Sequence, residues 1–407
     1  MSKREVMEEI KATKIELNNF FSEFEQKMDD KADRSLSFAI GRGLKFLENV
    51  QNQDGGFGLT KERESNPHLT SFSLLALSKG GRTKENEVIK RALRFLENTQ
   101  NEEGWWSYET ISASESIGVT GLIVQAFQIL KVSKTHPMYR AALNFLKRSF
   151  SDDEGCWRDN KFSEYGEISV NESAFNAIEG ELKKNQLDKF KLLFRSRLNA
   201  DDGYGWKLRS EMGDEVSDIE NTGIALKILN KLNFSKEDEF MKKAIEYVIS
   251  SQLPNYGFPR KKLLAKRIET AERDIEFDAT SLAISGLIAS NFNPYSKIIQ
   301  SAAESLANYI NEDGGWGDGP GKESDTDSTA LAVIALIDAS RAAVPLADIQ
   351  YEFYEAKSFI KNYIDRNVEQ LNNEIKETKR LNRLLKYYTL ILITTLIIVV
   401  ILFTTIL

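Results

Sequence analysis

Cysteine, histidine and proline are scarce in this chain, which has one, two and seven of them in 407 residues. A single cysteine, Cys156, excludes an intrachain disulfide and favours a reducing compartment. Basic charge is also in deficit, because 54 Lys and Arg stand against 61 Asp and Glu and give a net charge of -7. Nonspecific binding of nucleic acid needs a basic face, so we expect no nucleic-acid partner.

Long hydrophobic runs are absent until the C-terminus, where residues 387–407 contain no charged side chain. At about 1.5 Å per residue, this run is long enough to cross a bilayer core of about 30 Å. Five basic residues lie just before it at positions 376, 379, 380, 383 and 386, and positive residues stay on the cytoplasmic side. We therefore expect a single-pass membrane tail anchor with the soluble bulk of the protein in the cytoplasm. The N-terminus is too charged to be a signal peptide.

Six short turns of glycine and acidic residues recur along the chain, and each ends at an aromatic residue about 50 residues after the previous one. An amphipathic stretch precedes each turn, as at 43–51 and 92–100, and an almost wholly apolar stretch follows it, as at 119–127 and 330–336. Both spacings predict helices, the first with one buried face and the second buried on several sides. The aromatic residues are Phe57, Trp106, Trp157, Trp206, Phe258 and Trp316.

Six outer and six inner helices predict an all-α fold, an (α/α)6 toroid of six helix pairs spanning residues 34–343. An open array of repeats needs polar capping repeats, whereas the first and last repeats here resemble the middle ones, which indicates closure. Residues 1–33 predict an amphipathic helix, and residues 344–386 predict a helical stalk with apolar residues at coiled-coil spacing. These arms could pair with each other, or with a second copy or a second toroidal chain.

The turns resemble the QW-type repeat of the squalene cyclase and protein prenyltransferase β-subunit superfamily. An aromatic-aliphatic pair at 46–47 is followed by Gln51 and by Gly56-Phe57, and the second repeat matches at 95–96, 100 and 104–105. The other four repeats are degenerate, with Ser151, Asn199 and Asn311 near the glutamine position. The resemblance implies that the six aromatic residues are structural staples. It also implies that the inner helices line a cavity for an apolar isoprenoid.

The last inner helix opens with Asp325-Thr-Asp327-Ser-Thr-Ala. This segment resembles the Asp-x-Asp-Asp-Thr-Ala motif of class II terpene cyclases, in which the middle aspartate protonates an alkene or epoxide. The resemblance implies that Asp327 is the catalytic acid and Asp325 its partner, although Ser328 replaces the third aspartate. Clustered carboxylates raise one another's pKa, which is how such an acid stays protonated near neutral pH.

Helix capping is the alternative interpretation of the same acidic residues, because Asp, Ser and Thr are preferred N-caps. The fifth repeat has Glu276 and Asp278 before Thr280 in the equivalent place, and the fourth has an acidic pair at 218 and 220 before Thr222. An acidic entrance that recurs with a threonine indicates inherited capping as readily as chemistry. Both interpretations stay open at the level of sequence.

Other candidate ligands are weaker. Arg260 and Lys261 begin the one concentrated basic loop and, with Glu276 and Asp278, are candidate substrate-binding residues. A protein prenyltransferase would need a zinc site of Asp, Cys and His. Cys156, His136 and His68 occupy different positions in different repeats, so no zinc site is expected. We expect no cofactor, with Mg²⁺ required only if the substrate is a diphosphate.

Two functions follow from the sequence. The first is a membrane-tethered terpenoid cyclase-like isomerase that handles an isoprenoid or another long apolar substrate by protonation. The second is a non-catalytic toroid that binds a lipid or a protein at the membrane. Cyclases of this class usually join two toroidal domains, whereas this chain predicts one, which favours the scaffold.

Overall fold

The computed structural model describes residues 34–110, 114–159, 167–196, 198–199, 205–207, 217–235, 238–260, 275–342 and 388–396. Between residues 34 and 342, this described part contains twelve helices. They are α1 (Arg34–Val50), α2 (Pro67–Lys79), α3 (Glu87–Thr99), α4 (Ile117–Ile129), α5 (Pro137–Arg148), α6 (Ile168–Ile178), α7 (Lys184–Ser196), α8 (Ile219–Leu229), α9 (Glu239–Ile249), α10 (Phe277–Ala289), α11 (Lys297–Asn308) and α12 (Thr326–Ala342).

Odd-numbered and even-numbered helices bury different amounts of surface, as their sequence patterns predict. In α3, burial is confined to a stripe that includes Ile89, Ala92 and Leu96, while charged residues cover the rest. In α4, nine of the residues from Ile117 to Phe127 are buried, on every side of the helix. The odd-numbered helices are therefore outer helices and the even-numbered ones are inner helices.

The six inner helices form a closed ring. Each packs on the next in the order α2, α4, α6, α8, α10, α12, and α12 packs back on α2. An ion pair crosses this closure, with Lys79 Nζ 2.7 Å from Asp338 Oδ1. Closure also explains why no polar capping repeat is needed. The predicted all-α toroid is confirmed.

The ring forms one compact unit, Ser35–Ala342. Outside it, the structure describes only Arg34, at the start of α1, and a helix at residues 388–396. Over the described stretches, no helix has the length and apolar character that a membrane crossing requires. The predicted N-terminal helix and stalk, and most of the predicted anchor at 387–407, lie outside the described residues, so these three stay predictions.

The turn aromatics lie between an outer helix and the following inner helix. Five of the six are fully buried, and the burial of Trp206 is not described. The indole Nε1 of Trp106, Trp157 and Trp316 donates to a carbonyl of the preceding outer helix at 2.8 Å. Buried on all sides, these rings contribute area to the joint between the two helices of a repeat and offer no face to a ligand.

A threonine in each of four inner helices holds the turn in place. The backbone N–H of Phe57 donates to Thr70 Oγ1, and that of Trp316 donates to Thr329 Oγ1. The second and fifth repeats use Thr120 and Thr280 in the same way, and in the third repeat an asparagine at 171 takes this role. The recurring threonine is therefore structural, because it satisfies a buried backbone donor.

The glutamine of the repeat links neighbouring outer helices. Gln51 Nε2 donates to the carbonyl of Gly55 in its own turn and to that of Val88 in the next outer helix, both at 2.8 Å. Gln100 makes the equivalent pair of bonds. So does Gln252, which makes the fifth repeat less degenerate than its sequence indicates.

Asn311 lies near the glutamine position, as predicted, and the structure fixes the offset at one residue. Asn311 Nδ2 donates to a backbone carbonyl and to Ser324 Oγ in the loop that follows, as Asn52 does with Ser65. Asn311 therefore matches the residue after the glutamine, and Ile310 stands where glutamine would be.

The fourth turn carries a small antiparallel sheet that the sequence pattern does not predict. Its strands are β1 (Leu198–Asn199), β2 (Gly205–Lys207) and β3 (Ser217–Asp218), in that order. Trp206 pairs with Asp218 in the register. In the first, second and sixth repeats, a single bridge joins the turn aromatic to the residue before the inner helix. The sheet is thus an extended form of one contact that other repeats make.

Candidate acidic site at the inner-helix N-termini

The structure separates two kinds of acidic residue at the entrances of the inner helices. Asp325 Oδ1 accepts the backbone N–H of Ser328 at 2.8 Å, and Asp218 Oδ1 accepts that of Asn221 at 2.7 Å. These two carboxylates are N-caps, so the capping interpretation holds for them. Asp325 therefore has a structural role at the start of α12, whatever else it does.

Two residues after each cap position lies a second set that does not cap. Every member stands two residues before the turn-holding Thr or its equivalent, and each is partly or fully exposed. The six residues occupy equivalent positions on their inner helices, and these helices form a closed ring covered by outer helices. We therefore assign their side chains to the inner rim of one mouth of the ring. The set is His68, Gly118, Ser169, Glu220, Asp278 and Asp327.

Three carboxyl groups of this rim lie on three adjacent inner helices, Glu220 on α8, Asp278 on α10 and Asp327 on α12. Burial and the nearby carboxylates, Asp278 foremost, raise the pKa of Asp327 to about 7. Burial is also the main cause that raises the pKa of Glu220 to about 7, although Arg260 opposes it. The three groups therefore titrate as an interacting set near neutral pH.

Asp278 has a similar environment with one additional contact. Burial and the charges of Asp325, Asp318 and Glu276 raise its pKa to about 7, against a hydrogen bond with Ser328 that lowers it. The N-terminus of a helix favours the charged form of a carboxyl group, typically by less than about 1 kcal/mol. Desolvation and like charges dominate here, because the net direction of the shift is upward.

Two carboxyl oxygens of the rim have no hydrogen-bond partner. Oδ1 of Asp278 and Oδ1 of Asp327 are both buried and unpaired. An ionised carboxylate buried without donors is costly, whereas the protonated acid tolerates the position better. Geometry and pKa thus agree that each of these groups is protonated in a large share of molecules at neutral pH and is able to donate its proton.

Aromatic rings border the rim on the side of α2. His68 stacks on Tyr108 with ring centroids 4.1 Å apart and contacts Phe72 edge-on at 5.0 Å. Burial lowers the pKa of His68 to about 4, so the ring is neutral at physiological pH. Burial, with the charge of Asp327 second, raises the pKa of Tyr108. A neutral aromatic group therefore lies within electrostatic range of Asp327.

One helical turn below the rim, four of the six inner helices have an apolar side chain that is partly exposed. Phe72, Ile224, Leu282 and Leu331 each lie four residues after a rim residue and are partly exposed, although they are in the middle of buried helices. Residues four apart share a helix face. The interior surface thus changes from acidic to apolar over about 6 Å of helix.

The weaker sequence candidates have mixed outcomes. Glu276 stands at the N-cap of α10 without a side-chain capping bond, and it adds negative charge near Asp278. Arg260 forms an ion pair with Glu220 at 3.5 Å, which brings it to the rim. Lys261 lies outside the described residues. Within the described ranges, no three His, Cys, Asp or Glu side chains converge as metal ligands.

The sequence interpretation did not select Glu220, which is a rim residue, or Tyr108, which borders the rim. Glu220 had a usable signal, because it stands two residues before Thr222 just as Asp327 does before Thr329. Tyr108 had no such signal, because only the second repeat has an aromatic residue two positions after its turn aromatic. It reaches the rim through its stack on His68.

Comparison with known proteins agrees with this fold. The profile of the family described as "Prenyltransferase alpha-alpha toroid domain" matches residues 41–165 and 123–373. A search of curated protein sequences found no match.

Several solved structures are similar to the ring. The type II terpene cyclase MstE from Scytonema has a TM-score of 0.57 at 14% identity, over 76% of this chain and 98% of that one. An alpha-amylase from Clostridium perfringens has a TM-score of 0.57 at 11% identity, over 74% of this chain and 97% of that one. A D-mannose isomerase has a TM-score of 0.55 at 12% identity, over 75% and 97%. Enzymes of three different reactions share the architecture, so similarity at this level establishes the fold alone.

Proposed function

This chain belongs to the prenyltransferase alpha-alpha toroid family, and from that membership and the acidic rim we propose that it is a terpene cyclase-like enzyme that protonates an isoprenoid. Asp327 is the proton donor. The observation that carries the proposal is the state of this carboxyl group, which caps no helix, has a buried unpaired oxygen and has a pKa raised to about 7. A general acid works best when its pKa lies near the operating pH.

The reaction begins when the Asp327 O–H transfers its proton to an alkene carbon of the substrate. A new C–H bond forms from the π electrons, and Asp327 becomes a carboxylate. The resulting carbocation cyclises onto another double bond and finally loses a proton, so the product is an isomer of the substrate. The neutral rings of His68, Tyr108 and Phe72 border this place and are able to stabilise a cation over their faces.

The substrate class follows from the layer below the rim. Phe72, Ile224, Leu282 and Leu331 offer an apolar surface directly beneath the acid. Burial of apolar chain there contributes roughly 25 cal/mol per Å², without a hydrogen bond to the reacting carbons. Such a surface suits an isoprenoid chain. One MstE structure is described as a complex with geranylgeranyl dihydroxybenzoate, and this supports the same class of ligand here.

The single ring does not argue against catalysis. The structural match takes in 98% of the MstE chain, so a type II terpene cyclase exists within the length of one such ring. The proposed anchor at 387–407 also fits this role, because isoprenoids partition into lipid. With the ring on the cytoplasmic side, it would hold the protein beside its substrate. If the substrate is a diphosphate, Mg²⁺ would accompany it as part of the substrate.

The alternative is a non-catalytic toroid that binds a lipid or protein at the membrane. The replacement of the third motif aspartate by Ser328 favours it. The two functions make different demands on Asp327, since a scaffold would tolerate its neutralisation.

The test uses the full-length protein in detergent with farnesyl, geranylgeranyl and squalene substrates, and mass spectrometry of the products. We expect Asp327→Asn to reduce turnover about 10²- to 10⁴-fold, the usual contribution of a general acid. Asp153→Asn is the matched control, because Asp153 is an exposed carboxylate of an outer turn. Turnover unchanged in Asp327→Asn would refute the mechanism. Binding of an isoprenoid without conversion by the wild type would support the scaffold.

A further inference from the structure

A second polar layer lies on the inner helices, about two helical turns below the acidic rim. The inner helices α4, α6, α8 and α10 each have a polar side chain seven residues after their rim position, where α2 and α12 have Leu75 and Ile334. Residues seven apart share a helix face, and seven residues rise about 10 Å. This layer therefore lies on the rim face of the helices, beyond the apolar residues. Its members are Gln125, Asn176, Lys227 and Ser285.

Direct contacts through Glu172 of α6 join three of these helices. Glu172 is 4% exposed, and its Oε1 accepts from Asn176 Nδ2 at 2.7 Å. The same oxygen lies 2.8 Å from Lys227 Nζ of α8. Gln125 of α4 donates from Nε2 to the carbonyl of Ser173, the residue after Glu172, at 3.1 Å. Gln125, Glu172, Asn176 and Lys227 thus form one cluster, which we call the polar floor.

The repeat itself does not require the charge of Glu172. This residue directly follows the turn-holding Asn171, and the other five repeats have only serine, glycine or alanine in that place. A buried ion pair contributes little net stability, because desolvation offsets the Coulomb attraction. A charged pair where packing needs only a small residue is therefore better explained by a ligand. The five small residues are Ser71, Gly121, Gly223, Ser281 and Ala330.

The polar floor has bonding capacity left for such a ligand. A lysine ammonium has three N–H donors, and Lys227 uses one of them on Glu172 while its side chain stays 30% exposed. Asn176 donates from Nδ2 to Glu172, but its Oδ1 is a buried acceptor without a partner. Buried acceptors are normally satisfied by protein or by a bound molecule. A group that accepts from Lys227 and donates to Asn176 would satisfy both.

The charges of the polar floor cancel, which decides between possible head groups. A carboxylate or diphosphate would give up its water and meet the Glu172 carboxylate beside the lysine. A hydroxyl group both accepts and donates, and it brings no charge to bury. We propose that the polar floor binds the neutral, hydroxyl-bearing end of the isoprenoid, as in a prenyl alcohol or a prenylated phenol, and disfavours anionic head groups.

This inference rests on the proposed function and names the substrate class of that same cavity. It also gives the chain an orientation. The head group lies at the polar floor, the isoprenoid crosses the apolar layer, and an alkene carbon reaches Asp327 about 10 Å along the helices from Lys227.

The first test is binding to the full-length wild-type protein in detergent, and it needs no turnover. Geraniol and geranate have the same isoprenoid chain, and geranate is ionised at about pH 7.5. Isothermal titration calorimetry, with protein-free detergent as the blank, should show geraniol binding at least about tenfold more tightly than geranate. The hydrocarbon myrcene, which has no head group, should also bind at least about tenfold more weakly than geraniol. Equal affinity of geraniol with either probe would overturn the proposal.

The second test changes the charge of the polar floor. Glu172→Gln keeps an acceptor for Asn176 but leaves Lys227 without its counter-charge, so we expect geranate to bind at least about tenfold more tightly than to the wild type. Glu179→Gln is the matched control, because Glu179 pairs with Lys231 at 2.7 Å just beyond the ends of the same two helices and is 42% exposed. It should leave geranate binding unchanged. An unchanged geranate affinity in folded Glu172→Gln would refute binding at the polar floor.

The two proposals fail in different ways. If Asp327→Asn turns over as fast as the wild type, the proposed mechanism fails, and the binding data still decide the head group. If Asp327→Asn is inactive while geraniol and geranate bind equally, the head-group assignment alone fails. If the wild type binds neither geraniol, geranate nor myrcene, both proposals fail.

Discussion

At the scale of single residues, position relative to the helix start decides what an acidic side chain does here. Asp325 and Asp327 are two residues apart in sequence, yet one accepts a backbone N–H and the other has an unpaired buried oxygen. A capping carboxylate gains stability from its charge, whereas a buried unpaired carboxyl group gains it from its proton. The same residue type is therefore stabilised as a carboxylate in one place and as the protonated acid in the other.

The raised pKa values make stability depend on pH. The pKa of Asp327 is about 7 in the folded protein, against an ordinary value of 3.8. The folded state then binds more protons than the unfolded state between these values. The stabilising contribution is complete below about pH 4 and is lost as the pH rises through about 7. The same direction holds for Asp278 and Glu220.

We therefore predict that Asp327→Asn reduces the loss of thermal stability between about pH 5 and about pH 8, by an amount on the order of 1–4 kcal/mol. Circular dichroism melts of variant and wild type at both pH values measure it. Asp153→Asn, an exposed carboxylate, should leave the pH dependence unchanged. An Asp327→Asn protein with the pH dependence of the wild type would show that this carboxyl group is ionised throughout.

Part of this site is predictable from sequence. The motif and its resemblance select Asp327, and the repeat places Asp278 in an equivalent position. The sequence does not show that Asp325 caps the helix while Asp327 lies on the rim, because this depends on which residue begins α12. Nor does it show the effect of Asp278 on the pKa of Asp327, which acts between neighbouring inner helices that only the folded ring brings together.

At the scale of helices, close packing of the inner ring depends on small residues. A Cβ atom on Gly286 of α10 would lie 2.4 Å from the carbonyl oxygen of Gly223 in α8, and one on Gly223 would lie 2.4 Å from that of Leu282. Backbone atoms do not yield as a flexible side chain does. Glycine therefore sets the distance between the helices that carry Glu220 and Asp278.

Gly286→Ala should destabilise the protein by about 1–3 kcal/mol or more, since it overpacks a rigid contact. Gly41→Ala is the matched control, because Gly41 is an exposed residue of α1 whose added Cβ meets nothing within 4 Å. There the same change should stabilise by about 1 kcal/mol through helix propensity. Chemical unfolding of both variants measures the difference. Equal effects of the two substitutions would mean that α8 and α10 are not in tight contact.

Helix identity and order were predictable because the apolar spacing of the inner and outer helices differs clearly. The sheet in the fourth repeat was not, because its strands are only two or three residues long and depend on pairing with one another. The exact offset of Asn311 from the glutamine position was not predictable either. Its neighbour Ile310 replaces the glutamine, and one position of offset is invisible until the hydrogen bonds are known.

At the scale of the whole molecule, the ring depends on its closing contact between the first and last repeats. Thr326, at the start of α12, is fully buried and donates its hydroxyl to the carbonyl of Gly58 at 2.7 Å. Its backbone N–H donates to the carbonyl of Leu59 at 2.9 Å. In an open array each repeat contacts only its neighbours, so a terminal defect stays local. In a closed ring, a defect at the closing contact deprives both the first and the last repeat of one neighbour.

Thr326→Val keeps the shape and the backbone bond but leaves the Gly58 carbonyl without its side-chain donor, which should cost about 1–3 kcal/mol. If the ring unfolds as one unit, hydrogen exchange should accelerate by a similar factor in the slowest amides of α6, opposite the closing contact, and in those of α2 and α12. Thr60→Val, in the same loop, is the control, since Thr60 is only half-buried. Acceleration confined to α2 and α12 would contradict cooperative closure and show that the ring opens locally at this contact, beside Asp327.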